Sequence, residues 1–344
     1  MKVLHVLNSR IYSGAEKVVC QIIHMFDKEV EMVYCSPYSE IVEDMLKLEQ
    51  VEYHPVNTLV PGELSRIIRE QKPDVIHAHD MRASFVSALC CGRIPLISHI
   101  HNNAYDSRGL SPKSIAYLLA GFRAKHILWV SRSSYEGYFF HKFFEKKSSV
   151  LFNIIDLKQV WEKRDQDPNS YDYDVIYIGR LTYQKNPQRL MRLCALAKER
   201  KPDIRMAVVG TGELEEETKA LCGSLGLTEN VDFLGFQSNP MKILSDSACL
   251  LLPSRWEGTP MCALEAMAVG VPVVSTPTDG LVDLLREGET GFLSDEDRVL
   301  ADKMVQLSTD AALRERMSRT AAEEAVTIND VTTYKNAVSV WYGN

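Results

Sequence analysis

The chain has 344 residues, enough for two domains of ordinary size, with 45% apolar and 25% charged residues and a net charge of −7. That composition is that of a soluble globular protein; the acidic balance argues against nucleic acid as the main partner, and no run of about 18 apolar residues offers a transmembrane helix. The charge is uneven. Residues 1–160 hold 19 Lys and Arg against 17 Asp and Glu, and the remainder 20 against 29, while all nine histidines precede residue 142. Two halves with different chemistry are expected. The eight cysteines form no C-x-x-C pair, which fits reduced core residues of a cytosolic protein rather than a zinc site.

Lys2–Leu7 reads as a first buried strand rather than a signal peptide. Ser13-Gly14-Ala15-Glu16 follows it and opens a helix over Ala15–Phe26. A loop at a strand end that starts a helix suits an anion, or is simply a tight turn. Val30–Cys35, Val75–His79, Leu96–His101 and Ile127–Ser131 are further strands, with helical stretches at Ile41–Leu48 and Ser65–Gln71. His77 and His79 end one strand and His99 and His101 another. Residues i and i+2 share a strand face, so either pair could chelate a metal. The acids that would complete a metallohydrolase site have no recognisable spacing. One histidine of each pair is therefore expected to pack inside, with His101 pointing into a cleft.

The segment 108–147 interleaves Arg108, Lys113, Arg123, Lys125, Arg132, Lys142, Lys146 and Lys147 with Trp129, Tyr135, Tyr138, Phe139, Phe140, Phe143 and Phe144. Such a surface would attach to anionic lipid at about 1 kcal/mol per cation; alternatively the aromatics are core and the cations an ordinary face. The polar run Trp161–Asp174, with its Pro-Asn-Ser turn, is the expected boundary. The expected domains are 1–165 and 166–325, with 326–344 a C-terminal helix returning to the first.

After the boundary the pattern restarts: Asp174–Ile178, Arg205–Val209, Val231–Leu234, Cys249–Pro253 and Pro272–Ser275. Strands alternating with helices predict an α/β fold of two doubly wound parallel sheets. Ligands bind such sheets at the carboxyl ends of strands, so two of them would face an interdomain cleft. Gly179-Arg180-Leu181 and Lys185-Asn186 follow the first of these strands and could neutralise a diphosphate. Gly210-Thr211-Gly212-Glu213 follows the next; its glycines allow close backbone approach, but the third glycine of a dinucleotide fingerprint is missing. In Pro253–Val273, Thr259 is the expected N-cap and Pro260 the first helical residue, with Gly270 past the end. The N–H groups of Gly258, Thr259, Met261 and Cys262, flanking Pro260, would then border an anion site, with Glu257 before the helix and Glu265 inside it. The triplets Asp165/Asp167, Asp172/Asp174 and Asp295/Asp297 lie in polar loops and are assigned no metal role.

Taken in order, Ser13–Glu16, His77–Asp80, His101-Asn102, Asn153–Asp156, Gly179–Asn186, Gly210–Glu213 and the Glu-x7-Glu of Glu257 and Glu265 resemble the family 4 retaining glycosyltransferases of GT-B fold, over nearly the whole chain. The resemblance implies a UDP- or GDP-linked sugar as donor and a saccharide or lipid-linked acceptor, in surface polysaccharide or glycolipid synthesis. It implies no cofactor and no metal. Arg180 and Lys185 would match the diphosphate cations, Glu265 the ribose acid and Glu257 the acid near the donor sugar. Gly258–Cys262 and the Gly210 and Gly212 loop would match backbone donor contacts, His101 the histidine near the sugar and Gly14 the loop approaching the phosphates. Ser13 stands where many relatives have glycine, and Asn153-Ile154 where Asn-Gly is usual. The implied location is cytoplasmic, at the inner membrane face if 108–147 binds lipid. A sugar-nucleotide 2-epimerase on the same fold and a non-catalytic binding protein are the alternatives.

Overall fold

The computed structural model describes residues 1–26, 29–101 and 105–343. The chain divides into two compact units, one formed by Met1–Ile154 with Val331–Asn344 and the other by Ile155–Asp330.

In the first unit the strands β1 (Lys2–Val6), β2 (Glu31–Cys35), β3 (Val75–Ala78), β4 (Leu96–Ile100), β5 (His126–Trp129) and β6 (Ser148–Val150) form one sheet in the order β2-β1-β3-β4-β5-β6. Every neighbouring pair is parallel. Parallel sheets are covered on both faces, which is why these strands are nearly continuous apolar runs. Leu4, Val6, Ile76, Ala78, Leu96 and Ile100 share one core cluster. The alternate residues His5, His77, His79 and His99 are just as buried. Between strands run helices such as Gly14–Met25, Glu40–Leu48 and Pro61–Gln71, each close to its expected bounds.

The second unit repeats the plan with β7 (Tyr173–Ile178), β8 (Met206–Val209), β9 (Val231–Gly235), β10 (Ser247–Leu252), β11 (Val273–Ser275) and β12 (Gly291–Leu293), ordered β12-β11-β10-β7-β8-β9. Its core gathers Val175, Tyr177, Met206, Val208, Leu251 and Val274 with the helix residues Leu190 and Leu300. The strands β6 and β12 were not expected; at three residues each they are too short for a period to register.

Two expectations are corrected. The division falls at 154/155 rather than 165/166, because the helix Leu157–Asp165 packs into the second unit. Trp161 Nε1 donates to the Ala268 carbonyl at 2.9 Å, and Asn239 Nδ2 to the Lys163 carbonyl at 2.7 Å. The polar run is thus largely the solvated end of a helix and the loop after it. Two helices end the chain, Ala311–Ile328 and Val331–Tyr342, so the C-terminal helix expected over 326–344 begins only at Val331. Asn329 ends the first: its Nδ2 donates to the Ala325 carbonyl and its Oδ1 accepts from Ile155 N, both at 2.7 Å. The second belongs to the first unit, where Tyr342 Oη meets His77 Nδ1 at 2.7 Å and Trp341 stacks on His126.

The segment 108–147 divides between core and surface. Trp129, Tyr138 and Phe144 are fully buried, whereas Phe122, Phe139 and Phe143 are exposed. Gly121 admits the Phe144 ring, which a Cβ there would overlap. No helix is long and apolar enough to cross a membrane among the described residues.

Candidate functional site

In the second unit the strand ends β7, β8, β10 and β11 converge through their loops. After β10, Ser254 Oγ donates to Glu257 Oε1 at 2.5 Å, and Lys185 Nζ, from the loop after β7, donates to the same oxygen at 2.6 Å. The carboxylate is 5% and the ammonium 14% exposed, so the pair is largely desolvated. Burial is the strongest influence on Lys185 and works against its charge. The Glu257 carboxylate, with Cys262 beside it, more than reverses that and holds its pKa above the usual lysine value. The two loops are zipped alongside: Arg255 N donates to the Gln184 carbonyl at 2.8 Å, Gln184 Nε2 to the Trp256 carbonyl at 3.0 Å, and the Arg255 guanidinium lies over the Tyr183 ring.

The helix that follows is Met261–Ala268, and its N-cap is Pro260, not Thr259. The Pro260 carbonyl accepts the first helical bonds, from Ala263 at 3.0 Å and Leu264 at 3.4 Å, while its own backbone is extended. Helix geometry therefore begins one residue beyond the expected Pro260 start. Gly258, Thr259, Pro260, Met261, Cys262 and Glu265 are all buried around this end. Its C-terminus is as expected: Gly270 has φ 72°, and the bonds Gly270 N to Met267 O and Val271 N to Ala266 O form a Schellman motif.

The glycines after β8 have a packing reason. A Cβ at Gly210 would overlap the Gly179 carbonyl and one at Gly212 the Leu181 carbonyl. Bonds from Leu181 N to Thr211 O and from Leu214 N to Leu181 O, each 2.9 Å, hold these loops together. The close approach these glycines allow is backbone to backbone. Arg180 itself is exposed, with its carbonyl accepting from Tyr177 Oη at 2.8 Å.

Sequence reading missed Ser254, Gln184, Thr276 and Gly280. Thr276 Oγ1 donates to the Ser254 carbonyl at 2.7 Å. Gly280 lies against Gly258, whose carbonyl a Cβ would overlap. A Thr-Asp-Gly just past a strand was the only available signal.

The carboxylates of the three D-x-D triplets go to structural partners: Asp165 to Arg164, Asp167 to Asn169, Asp172 to Arg205, Asp174 to Lys201 and Asp297 to Arg189. For Asp295 it is the carbonyl that takes part, accepting from Arg189.

In the first unit Gly14 opens the helix Gly14–Met25, where Ser13 and Glu16 form a capping box. The buried Glu16 carboxylate accepts from Ser13 N at 2.9 Å and Ser13 Oγ at 2.8 Å. Asp80 caps Met81–Cys90, accepting from Ala83 N at 2.7 Å and from Asn8 N at 2.6 Å. The expected split does not occur in the His77/His79 pair, and in the His99/His101 pair it occurs in part. His77, His79 and His99 are fully buried and His101 is partly so, because residues two apart on a strand must share a face. Burial depresses all of them together with His5, the last and His101 to about 3, so the row is neutral at pH 7. Asn102, paired with His101 in the motif, lies outside the described residues.

Residues 12–159 match the family model "Glycosyltransferase Family 4" and residues 159–324 the model "Glycosyl transferases group 1". An uncharacterized glycosyltransferase of Methanocaldococcus jannaschii is 27% identical, with 86% of this chain and 89% of the relative covered. The capsular polysaccharide biosynthesis glycosyltransferase CapH of Staphylococcus aureus is 24% identical, covering 80% of this chain and 81% of its own. Among solved structures, Anabaena HepE in complex with UDP-glucose has a TM-score of 0.85 at 21% identity, covering 99% of this chain and 98% of that one. That likeness carries the fold, which is GT-B.

Proposed function

The chain belongs to the glycosyltransferases, and we propose that it moves a sugar from a UDP- or GDP-linked donor to a saccharide or lipid-linked acceptor with retention of anomeric configuration and without a metal. The observation that carries the reading is the desolvated Lys185–Glu257 pair beside the N-terminus of Met261–Ala268. In this reading Arg180 and Lys185 take the diphosphate and Glu265 the ribose hydroxyls. Glu257, held in place by Lys185 and Ser254, accepts from the donor sugar hydroxyls.

Because Glu257 already balances the Lys185 charge, the leaving diphosphate draws most on Arg180 and on the helix N-terminus, whose dipole favours anions. Gly258 to Cys262 supply that end, and the Gly210 and Gly212 loop holds the Gly179–Leu181 segment from which Arg180 projects. Within the first unit, His101 and Gly14 are the residues this reading assigns to sugar-nucleotide binding. Catalysis is then positioning plus stabilisation of leaving charge, in a front-face displacement where the departing diphosphate oxygen takes the acceptor proton. The exposed Phe122, Phe139 and Phe143, flanked by Lys142, Lys146 and Lys147, fit a peripheral contact with anionic lipid at a cytoplasmic membrane face.

The test is a donor panel with EDTA present, offered saccharide and undecaprenyl-linked acceptors and followed by NMR of the anomeric proton. An α-product from an α-donor is expected. Conversion of the donor sugar with no acceptor would replace the reading by an isomerase, and a strict need for magnesium or manganese would end the metal-free part. Co-sedimentation with phosphatidylglycerol vesicles, lost in Phe143→Ser, is expected for the membrane contact; equal binding by the variant would remove it.

A further inference from the structure

Three imidazoles in the first unit lie end to end. His5 Nδ1 and His79 Nε2 are 2.9 Å apart, and His79 Nδ1 and His101 Nε2 are 3.0 Å apart. Their ring centres are 5.1 and 5.2 Å apart with interplanar angles of 26° and 19°. Those separations equal the N···N distance plus two ring radii, so the hydrogen bonds run nearly in the ring planes. At the inner end, His5 Nε2 meets the Met32 thioether sulfur at 3.3 Å.

These contacts fix every proton in the chain. A thioether has no proton to give, so His5 Nε2 is the donor and carries the hydrogen. A neutral imidazole has one N–H, which leaves His5 Nδ1 as an acceptor and makes His79 Nε2 the donor to it. His79 Nδ1 then accepts, and His101 Nε2 donates. His101 Nδ1 is left unprotonated; it is buried and has no partner among the described residues. We propose that His5 and His79 are positioning residues that hold His101 as the Nε2–H tautomer and so keep its Nδ1 an acceptor for a sugar hydroxyl. The second half of that statement rests on the donor reading of His101 given above.

The same rings place three nitrogens within 4.8 Å in two groups, His5/His77/His79 and His79/His99/His101. The nitrogens that face each other along the row are already spent on hydrogen bonds, which favours the relay over a metal. His77 and His99 stack beside it, with centroids 4.1 Å from His79 and 4.2 Å from His101 respectively, and keep the rings from turning.

The experiment is long-range ¹H–¹⁵N correlation of the imidazoles in the full chain at pH 7. His5, His79 and His101 are expected as Nε2–H tautomers; His101 as Nδ1–H would overturn the proposal. Met32→Leu and His5→Leu remove successive links. Each is expected to give a mixed tautomer at His101, with kcat falling about threefold and tenfold while the donor KM changes less than twofold. A tautomer unchanged in both variants would also overturn it. Met32→Leu conserves volume and guards against loss of folding in the other. If the tautomers are as assigned but UDP-sugars leave His101 Nδ1 unperturbed, the relay stands and the donor reading of His101 fails.

Discussion

In the first unit five imidazoles cover one side of β1, β3 and β4 and none is charged at neutral pH, whereas in the second Lys185 and Glu257 meet as ions at 2.6 Å. Both arrangements bury polar groups at the carboxyl ends of parallel strands. The imidazoles avoid the desolvation of charge by staying neutral and linking to one another. The ion pair bears that cost and offsets it with short charge-assisted bonds. A neutral row suits an uncharged hydroxyl and a charged pair suits work beside a phosphate, which is the division the proposed function assigns.

The largest effect that would break this comparison is acid. A histidine whose folded pKa lies below its unfolded 6.5 binds fewer protons folded than unfolded, so stability falls as pH drops below 6.5 and levels off only near the folded pKa, about 3 for His5 and His101. Each contributes about 1.4 kcal/mol per pH unit in that window. Several together would exhaust a typical stability of about 5–15 kcal/mol within roughly two pH units. The second unit has no histidine. Hydrogen exchange between pH 6.5 and 4.5 is expected to strip protection from 1–154 first; simultaneous loss in 155–330 would break the contrast.

Next in size is Lys185→Met, which leaves Glu257 buried with Ser254 as its remaining partner among the described residues. Losing one member of a buried pair costs about 3–5 kcal/mol, readable as a shifted urea midpoint. The double variant Lys185→Met with Glu257→Leu should recover most of it. If the single variant costs under about 1 kcal/mol, the pair is solvated and the comparison loses one side. Arg180→Ala sharpens the other aspect. The side chain is exposed, so stability should stay within about 0.5 kcal/mol, while the loss of charge-assisted bonds to the diphosphate, about 1.5–3 kcal/mol, should lower turnover roughly 10- to 100-fold.

Much of the scaffold was legible because burial on both faces writes a parallel strand as a nearly continuous apolar run, and ten of the twelve strands could be expected from such runs. The Schellman end at Gly270 was legible because glycine and proline act locally. What stayed hidden depends on contacts remote in sequence. Lys185 and Glu257 are 72 residues apart, and nothing local to either announces the other. His5 aligns with His77 only through the β1–β3 register, so the histidines looked like two pairs when they form one row. Gly210 and Gly212 could be seen to need close approach, but not that the approaching partner is the Gly179–Leu181 backbone.

The smallest change that still separates the two solutions is Asp80→Asn. Burial raises the Asp80 pKa, although the backbone bonds it accepts oppose the shift. Its Oδ1 accepts from Ala83 N and its Oδ2 from Asn8 N. Asparagine keeps the first bond, and Asn and Asp are near equals as N-caps. Its amide NH2 would, however, face the Asn8 N–H, donor against donor. Removing a desolvated charge returns part of that loss. A net destabilisation of about 1 kcal/mol is therefore expected, against about 2 kcal/mol for Asp80→Ala, which loses both bonds. Equal costs for the two variants in urea titration would mean that the bond to the β1 loop, rather than the helix cap, is what Asp80 contributes. The acid would then act as a tether between β1 and β3, in the same unit whose histidines already span those strands.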